Sequence, residues 1–441
     1  MHQLTALVRE DMKPALGVTE PGAVAFSAAK AREYAEGDLV SIHVELNSGM
    51  YKNAFTCGIP NSSEVGAGFA AALGYVGGKA EKELEVLADV TESDNAAAQK
   101  LWNKNIIHVK ISEVTSRLFI RTTVTTSKTV VAVTIRDGHT NITEIRVNGG
   151  VRFGNDALYE VQRAEDNSGP VTVHTIHRFT LQDMLDYIET VKPEEIAFVK
   201  DAFETNLELF RYGLESERTV FVKRLLARNG GQIVSDNEQK TAALLCGGAI
   251  EARVLGLNRA AMSITGSGAH GIIATLPLYA AYKVNGYTEE QLYRAAMLSC
   301  LVCMYIKEYS GRLSAFCGCA IAAGAGMACG LAWLRGGRGG EMAAVLNHLA
   351  GSITGMICDG GNKGCTLKGI VAVDAAYQAV DLAMHGIGLE PAHGICGRTP
   401  EETMRNMGRI ADPGMTETER EILRIMEEKG DLLSNLYTRK A

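Results

Sequence analysis

No apolar stretch in this 441-residue chain runs unbroken for the ~18–20 residues that a helix needs to span a bilayer, which argues against membrane insertion. There is no basic run and no interleaving of aromatic with basic positions, and the net charge of −7 opposes a phosphate backbone, so no nucleic-acid partner is expected. The opening Met1-His2-Gln3-Leu4 lacks the charged-then-apolar pattern of a secretory signal, and the expected location is cytoplasmic. In that reducing compartment the ten cysteines are expected to be free thiols rather than disulfides. Internal repeats and low-complexity linkers are also absent. What remains is ordinary soluble composition, 46% hydrophobic and 22% charged, and a length that suits two domains or one large one.

Periodicity divides the chain. Leu4 to Met12 is amphipathic, and Gly22 to Ala35 reads as a helix opened by Thr19-Glu20-Pro21, with Thr19 as N-cap and Glu20 complementing the helix dipole. Leu39 to Leu46 alternates as a half-buried strand, Gly66 to Gly74 is a small-residue helix, and Glu81 to Asp94 a further helical stretch. Four β-rich segments follow (106–111, 118–126, 129–137 and 143–147), spaced by turn residues like an antiparallel meander. From about Thr180 nearly everything is helical, with Ala, Gly and Met on all faces, as in buried helices packed closely together. The predicted architecture is α+β: an N-terminal mixed domain with antiparallel strands over 1–178, then a large all-helical domain over 179–441. Thr416 to Tyr437 reads as a final amphipathic helix. The small-residue helices suit a homodimer interface and a monomer core equally well.

Cysteine placement carries the chemistry. Cys317 and Cys319 follow Gly311-Arg312-Leu313-Ser314-Ala315-Phe316, and Cys358 and Cys365 bracket Asp359-Gly360-Gly361-Asn362-Lys363-Gly364. That last segment disfavours helix and reads as a loop whose backbone N–H groups can face an anion. Three thiolates can hold three corners of a [4Fe–4S] cluster and leave one iron open as a Lewis acid. The spacing is neither a CxxC pair nor a ferredoxin run, and buried structural thiols satisfy it too. Cys317 and Cys319 would point about 200° apart on a continuous helix, so one is a bystander unless the helix breaks there. Cys246, Cys300, Cys303 and Cys329 lie in apolar helical patterns and read as core filler.

Three further segments are candidates. Ser263-Ile264-Thr265-Gly266-Ser267-Gly268-Ala269-His270 is either a carboxylate cradle or a tight interhelix turn. Asn47-Ser48-Gly49-Met50-Tyr51-Lys52-Asn53 follows a predicted strand, where binding loops sit. Asp137-Gly138-His139-Thr140-Asn141 is a hairpin turn whose histidine can serve as acid–base group or be inert.

Together these segments resemble the L-cysteine desulfidase family, also catalogued as an uncharacterised protein family and related to iron–sulfur L-serine dehydratase alpha domains. The likeness runs from Lys13-Pro14-Ala15-Leu16-Gly17-Val18-Thr19-Glu20-Pro21 through Lys52-Asn53, Gly58-Ile59-Pro60, Gly138-His139-Thr140-Asn141-Ile142, Gly266-Ser267-Gly268 and Arg312-Leu313-Ser314-Ala315 to Gly355-Met356-Ile357-Cys358-Asp359-Gly360. It implies a [4Fe–4S] cofactor held by Cys317, Cys358 and Cys365. It also implies β-elimination from a small amino acid, cysteine giving sulfide, pyruvate and ammonia. L-serine or another small substrate, or a non-catalytic binding or sensor role, are the alternatives. Lys52, His270, His139 and Cys57 are the candidate bases. Ser48, Asn53, Asn141, Thr265, Gly266, Ser267 and Gly268 would line the substrate site.

Two positions depart from the family pattern. Val18 stands where the family has a cysteine, and Ala269 where it has asparagine after Gly-Ser-Gly. Cys57, five residues after Lys52, is a candidate replacement for the missing thiol; its alternative reading is a buried strand cysteine.

Overall fold

The computed structural model describes residues 1–168, 175–311 and 313–429. Arg312 and the 430–437 part of the last expected helix lie outside these residues. The chain begins α1 (Gln3–Asp11), β1 (Lys13–Leu16), α2 (Thr19–Arg32), β2 (Leu39–Asn47), α3 (Ser48–Asn53), α4 (Ala67–Gly77) and α5 (Glu92–Asn103). Strands β3 (Ile107–Glu113), β4 (Phe119–Thr126), β5 (Val130–Arg136), β6 (Ile142–Val147) and β7 (Gly150–Gly154) follow, then α6 (Asp156–Ser168).

The six-stranded sheet has the order β3-β2-β4-β5-β6-β7. Its meander is antiparallel as expected, but β2 also pairs in parallel with β3, because α4 and α5 form a crossover between them. Period-2 alternation puts Ile42, Val44 and Leu46 of β2 and Ile120, Thr122 and Val124 of β4 inward, under α2 and α4. Those two helices touch backbone to backbone: a Cβ on Gly74 would stand 2.3 Å from the carbonyl oxygen of Ala25, so only glycine permits the approach.

Two expectations about the first hundred residues need correcting. Thr19 does not cap α2. Val18 occupies the N-cap without a side-chain hydrogen bond, and the Thr19 hydroxyl donates instead to Glu20. The stretch 81–94 is not one helix: a short 3₁₀ turn, Ala80–Glu85, is broken by left-handed Glu83, and the true helix starts later behind the Thr91 capping box.

The remainder is helical apart from β8: α7 (Leu181–Thr190), α8 (Pro193–Ile196), α9 (Lys200–Glu215), α10 (Phe221–Arg228), α11 (Glu238–Val254), β8 (Ala260–Ser263), α12 (Gly268–Asn285), α13 (Glu289–Ser310), α14 (Gly324–Leu334), α15 (Gly339–Ser352), α16 (Gly364–Met384), α17 (Pro400–Arg409) and α18 (Thr416–Glu428). Helices α11, α12, α13 and α14 bury nearly all their faces, as their composition demands. Cys246, Cys300, Cys303 and Cys329 are fully buried there.

Two apolar cores result. One joins α2, α4 and the sheet, and takes in Leu313 from far along the chain. The other fills the helical region, and takes in Leu4, Val8, Val18 and Cys57 from the N-terminal segment. That segment is anchored by β1, which pairs antiparallel with β8, Lys13 opposite Ser263. The polypeptide therefore crosses between the cores at 13–20, at 48–60 and just after Leu313, and these crossings carry Lys52, Asn53, Cys57 and Cys317.

Candidate functional site

The cysteine segments meet first. Phe316 and Ile357 form an antiparallel bridge, with Cys317 N donating to Met356 O at 3.0 Å and Cys358 N to Ala315 O at 2.6 Å. Cys317, opposite Met356, and Cys358, opposite Ala315, thus lie diagonally across this bridge. Beyond Cys358 the chain turns at left-handed Gly360. The Asn362 side chain accepts from Gly364 N at 2.7 Å, an Asx turn that launches α16. Cys365 sits in the first turn of that helix, its Sγ 3.4 Å from Gly360 O.

Burial is the main force that lifts the Cys365 thiol, pushed up to about 12, and nearby Cys358 and Cys317 add to it. Burial likewise raises Cys358, where Lys52 and Lys368 pull the other way. Helical geometry does break at the Cys317–Cys319 pair: Cys317 precedes the helix, and a π turn, Cys319–Ala323, begins just after it. The Cys319 thiol therefore returns to hydrogen-bond Cys317, and this contact, ahead of burial, raises Cys317.

Helix α3 closes over this loop. Gly361 N donates to Asn53 O at 3.2 Å, and Cys358 Sγ lies 3.7 Å from Asn53 Oδ1. The Asn53 amide donates in turn to Glu20 Oε1 at 2.9 Å. His139 Nε2 approaches the same carboxylate oxygen at 3.9 Å, and is buried without a hydrogen-bond partner among the described residues. Burial would raise the Glu20 carboxyl, but His139, Arg253 and Asn53 together hold it down at about 2. Lys52 is fully buried, and its Nζ donates to Glu419 Oε2 at 2.5 Å and to Ser314 O at 3.0 Å.

The glycine segment is a tight turn that opens α12 directly after β8. Ile264 bridges Ser267, and Thr265 and Gly266 take left-handed backbone. Asp11 accepts from Thr265 N, which ties the turn to α1. Thr265 Oγ1 donates to Ile264 O at 2.7 Å and lies 2.5 Å from His270 Nδ1. With its proton given to the carbonyl, that hydroxyl accepts from Nδ1–H, and the lone pair of His270 is left on Nε2. Nε2 points at Gly318, where a Cβ would stand only 2.9 Å away. Burial first, then Lys307 and Arg253, depress His270 to about 3, so the ring is neutral. A neutral imidazole with a free Nε2 lone pair thus faces the residue next to Cys317. Among the described residues, a cleft of about 710 Å³ reaches Thr265 and Lys307 from between the sheet and the helices, past Ser116, Arg117 and Asp137.

Cys57 is buried beside the cysteine loop. A Cβ on Gly361 would lie 3.1 Å from Val18 Cγ1 and 3.3 Å from Cys57 Cβ, so Val18 and Cys57 flank the same spot. Burial, then the Glu20 charge, raise the Cys57 thiol, with a further contribution from Cys365. Two expected residues are engaged elsewhere. The Ser48 hydroxyl donates to Thr115 O and accepts from Thr115 N, both at 3.2 Å, and so fastens the β3–β4 connection instead of facing a ligand. Asn141 is exposed, and its amide donates to Arg136 O and Tyr159 Oη.

Sequence reasoning missed Arg253, Lys307, Lys368 and Glu419, and gave Glu20 only a dipole role. All five are charged residues within otherwise apolar or helical stretches, a signal that could have raised Arg253 and Lys307, since Ala/Leu/Cys-rich surroundings predict their burial.

Among the described residues no three His, Cys, Asp or Glu side chains close on one point as a mononuclear centre requires. A cubane instead places its thiolates on separate irons, and Cys317 and Cys358 lie near enough to Cys365 to raise its thiol. The thiols resist ionisation in this buried setting, so the site suits a group that supplies positive charge; Lys52 and Lys368 lie close enough to offset the rest.

The model of the serine dehydratase alpha chain family matches residues 81–424, well over half of the chain. Similar proteins include a "UPF0597 protein" of Clostridium botulinum (strain Langeland), 38% identical over 96% of this chain and 97% of its own length. A "UPF0597 protein" of Caldanaerobacter subterraneus subsp. tengcongensis is 36% identical over 97% of this chain and 98% of its own length. Another, of Clostridioides difficile (strain 630), is 32% identical over 96% and 98%.

Proposed function

The chain belongs to the serine dehydratase alpha chain family, and from that premise we propose that it is an iron–sulfur-dependent lyase performing β-elimination on a small amino acid, L-cysteine first. The observation that carries this reading is the neutral His270, whose Nε2 lone pair faces Gly318 beside Cys317 while Cys358 and Cys365 complete a three-thiol set. Cys317, Cys358 and Cys365 would hold a [4Fe–4S] cluster. When bound, such a cluster supplies a Lewis-acidic iron without a protein ligand, which favours departure of a β-thiol or hydroxyl.

The other work belongs to the chain's own residues. His270 Nε2 takes the Cα proton, and Thr265 holds the tautomer that leaves Nε2 free. The Gly266–Gly268 turn receives the carboxylate at the start of α12. Asn53 braces the cysteine loop, and the Lys52–Glu419 pair locks α3 to α18 behind it. Loss of the Cα proton and of the β-thiol gives an aminoacrylate, which water converts to pyruvate and ammonia, with sulfide as the third product. L-Serine would yield pyruvate and ammonia by loss of water. It stays as the second substrate because Val18 puts a methyl group where the resemblance expects a thiol, with Cys57 as its neighbour.

The test is anaerobic reconstitution, followed by iron and sulfide analysis and a substrate panel. We expect about four irons per chain, a loss of most of them in Cys358→Ser, and pyruvate formed from L-cysteine or L-serine but not by His270→Gln. Well-folded protein that takes up no iron, or His270→Gln with wild-type turnover, would overturn the reading.

A further inference from the structure

We propose that Arg253, at the C-terminal end of α11, together with the first turn of α12, is the seat for the substrate carboxylate. The inference rests on the lyase reading for the class of substrate and adds the residue that binds it.

Arg253 is only 4% exposed, and its Nε has no hydrogen-bond partner among the described residues. No ion pair joins it to a carboxylate among those residues either. A guanidinium taken out of water without an acceptor is costly, so an arginine held this way is built for an anion that comes from outside. Glu20 is the acidic neighbour, but its oxygens already accept from Asn53 and Thr19.

The direction of the side chain is set by Gly268. A Cβ there would lie 2.7 Å from Arg253 Nε and 2.8 Å from Ala261 Cβ, so the absence of a side chain lets the guanidinium reach the start of α12. That helix runs for 18 residues from Gly268, and the side chain of its N-cap, Ser267, makes no capping bond. The first-turn N–H groups have no acceptor within their own helix, and the helix dipole adds partial positive charge. A carboxylate placed here meets a forked cationic donor and backbone N–H groups together. Glu20, Cys57 and His270 lie within the field of Arg253, and His270 stands two residues beyond Gly268 in the first turn of α12. A substrate carboxylate in this seat would therefore put its Cα close to the imidazole that receives the proton.

The experiment measures thermal stabilisation of the full anaerobic protein by three probes: L-serine, pyruvate, and ethanolamine, which is serine without its carboxylate. We expect L-serine and pyruvate to raise Tm and ethanolamine not to. Arg253→Gln should weaken the apparent affinity for pyruvate about tenfold or more, the effect of losing a charge-assisted hydrogen bond. Arg253→Lys, which keeps the charge without the fork, should fall between and covers the case in which Arg253→Gln does not fold. Wild-type protein indifferent to both carboxylates, or an Arg253→Lys or Arg253→Gln variant that binds pyruvate as wild type does, would overturn the seat. The two readings separate cleanly. Turnover with unchanged KM in Arg253→Gln sinks the seat and spares the lyase. Pyruvate binding lost in Arg253→Gln, in a wild-type protein without turnover, supports the seat and sinks the lyase.

Discussion

Glu20 is the residue on which most of the candidate site depends. It takes hydrogen bonds from Thr19 and Asn53, approaches His139, and lies within the field of Arg253. Asn53 in turn holds the cysteine loop. The carboxyl group is depressed from 4.5 to about 2, so the stability it contributes is present above its unfolded value and disappears as pH falls from about 4.5 to about 2. The shift corresponds to about 3 kcal/mol. Glu20→Gln should lose roughly that much at pH 7, and the gap to wild type should close through the same acid window when denaturation midpoints are compared across pH. A gap still near its pH 7 size at pH 2.5 would mean that shape, not charge, is what Glu20 provides. The sequence places Glu20 in a Thr-Glu-Pro helix start, where dipole complementarity already accounts for an acid. Its partners stand 33 and 119 residues away, and no local pattern announces them.

At the scale of elements, the site is made by three segments that break regular structure. The Cys358–Cys365 loop was legible, because two adjacent glycines and an Asn-Lys-Gly run cannot continue a helix. The glycine turn before α12 was legible as a turn or as a cradle, and it is a turn whose helix end stays uncapped by Ser267. The break at Cys317 was visible only as a condition on helical geometry. It is settled by the extended pairing of Phe316 with Ile357, a contact made 41 residues along the chain. Gly318, between that bridge and the π turn, leaves the space into which His270 Nε2 and Lys307 Cδ project, at 2.9 and 3.0 Å from where a Cβ would be. Gly318→Ala should push the imidazole aside and lower turnover by about a hundredfold, the penalty for a displacement near 1 Å. Iron content should be retained, since no thiol is removed. Equal loss of iron would show that the substitution disturbs the cysteines rather than the base.

Across the whole molecule, the Lys52–Glu419 pair binds α3, near the start, to α18, near the end. Both side chains are buried, and Lys52 alone also braces Ser314. Lys52→Met would leave Glu419 charged and unpaired in the interior, at a cost of about 3–5 kcal/mol. The double variant Lys52→Met/Glu419→Leu should recover most of this in urea denaturation, and failure to recover would assign the loss to the Ser314 contact instead.

By itself the sequence determined the division into a strand-rich first part and a helical second part, through the change from period 2 to small-residue helical packing. It also determined that Cys246, Cys300, Cys303 and Cys329 sit in buried helices and that Cys358 opens a glycine loop, because those properties depend on neighbours within a few residues. The tertiary structure alone decided that β2 pairs with β3, that Lys52 belongs to Glu419, that Val18 and Cys57 share one spot, and that Arg253 faces Gly268. Such contacts join residues tens to hundreds of positions apart. They are fixed by how two apolar cores close against each other, with charged groups left to find partners at the seam.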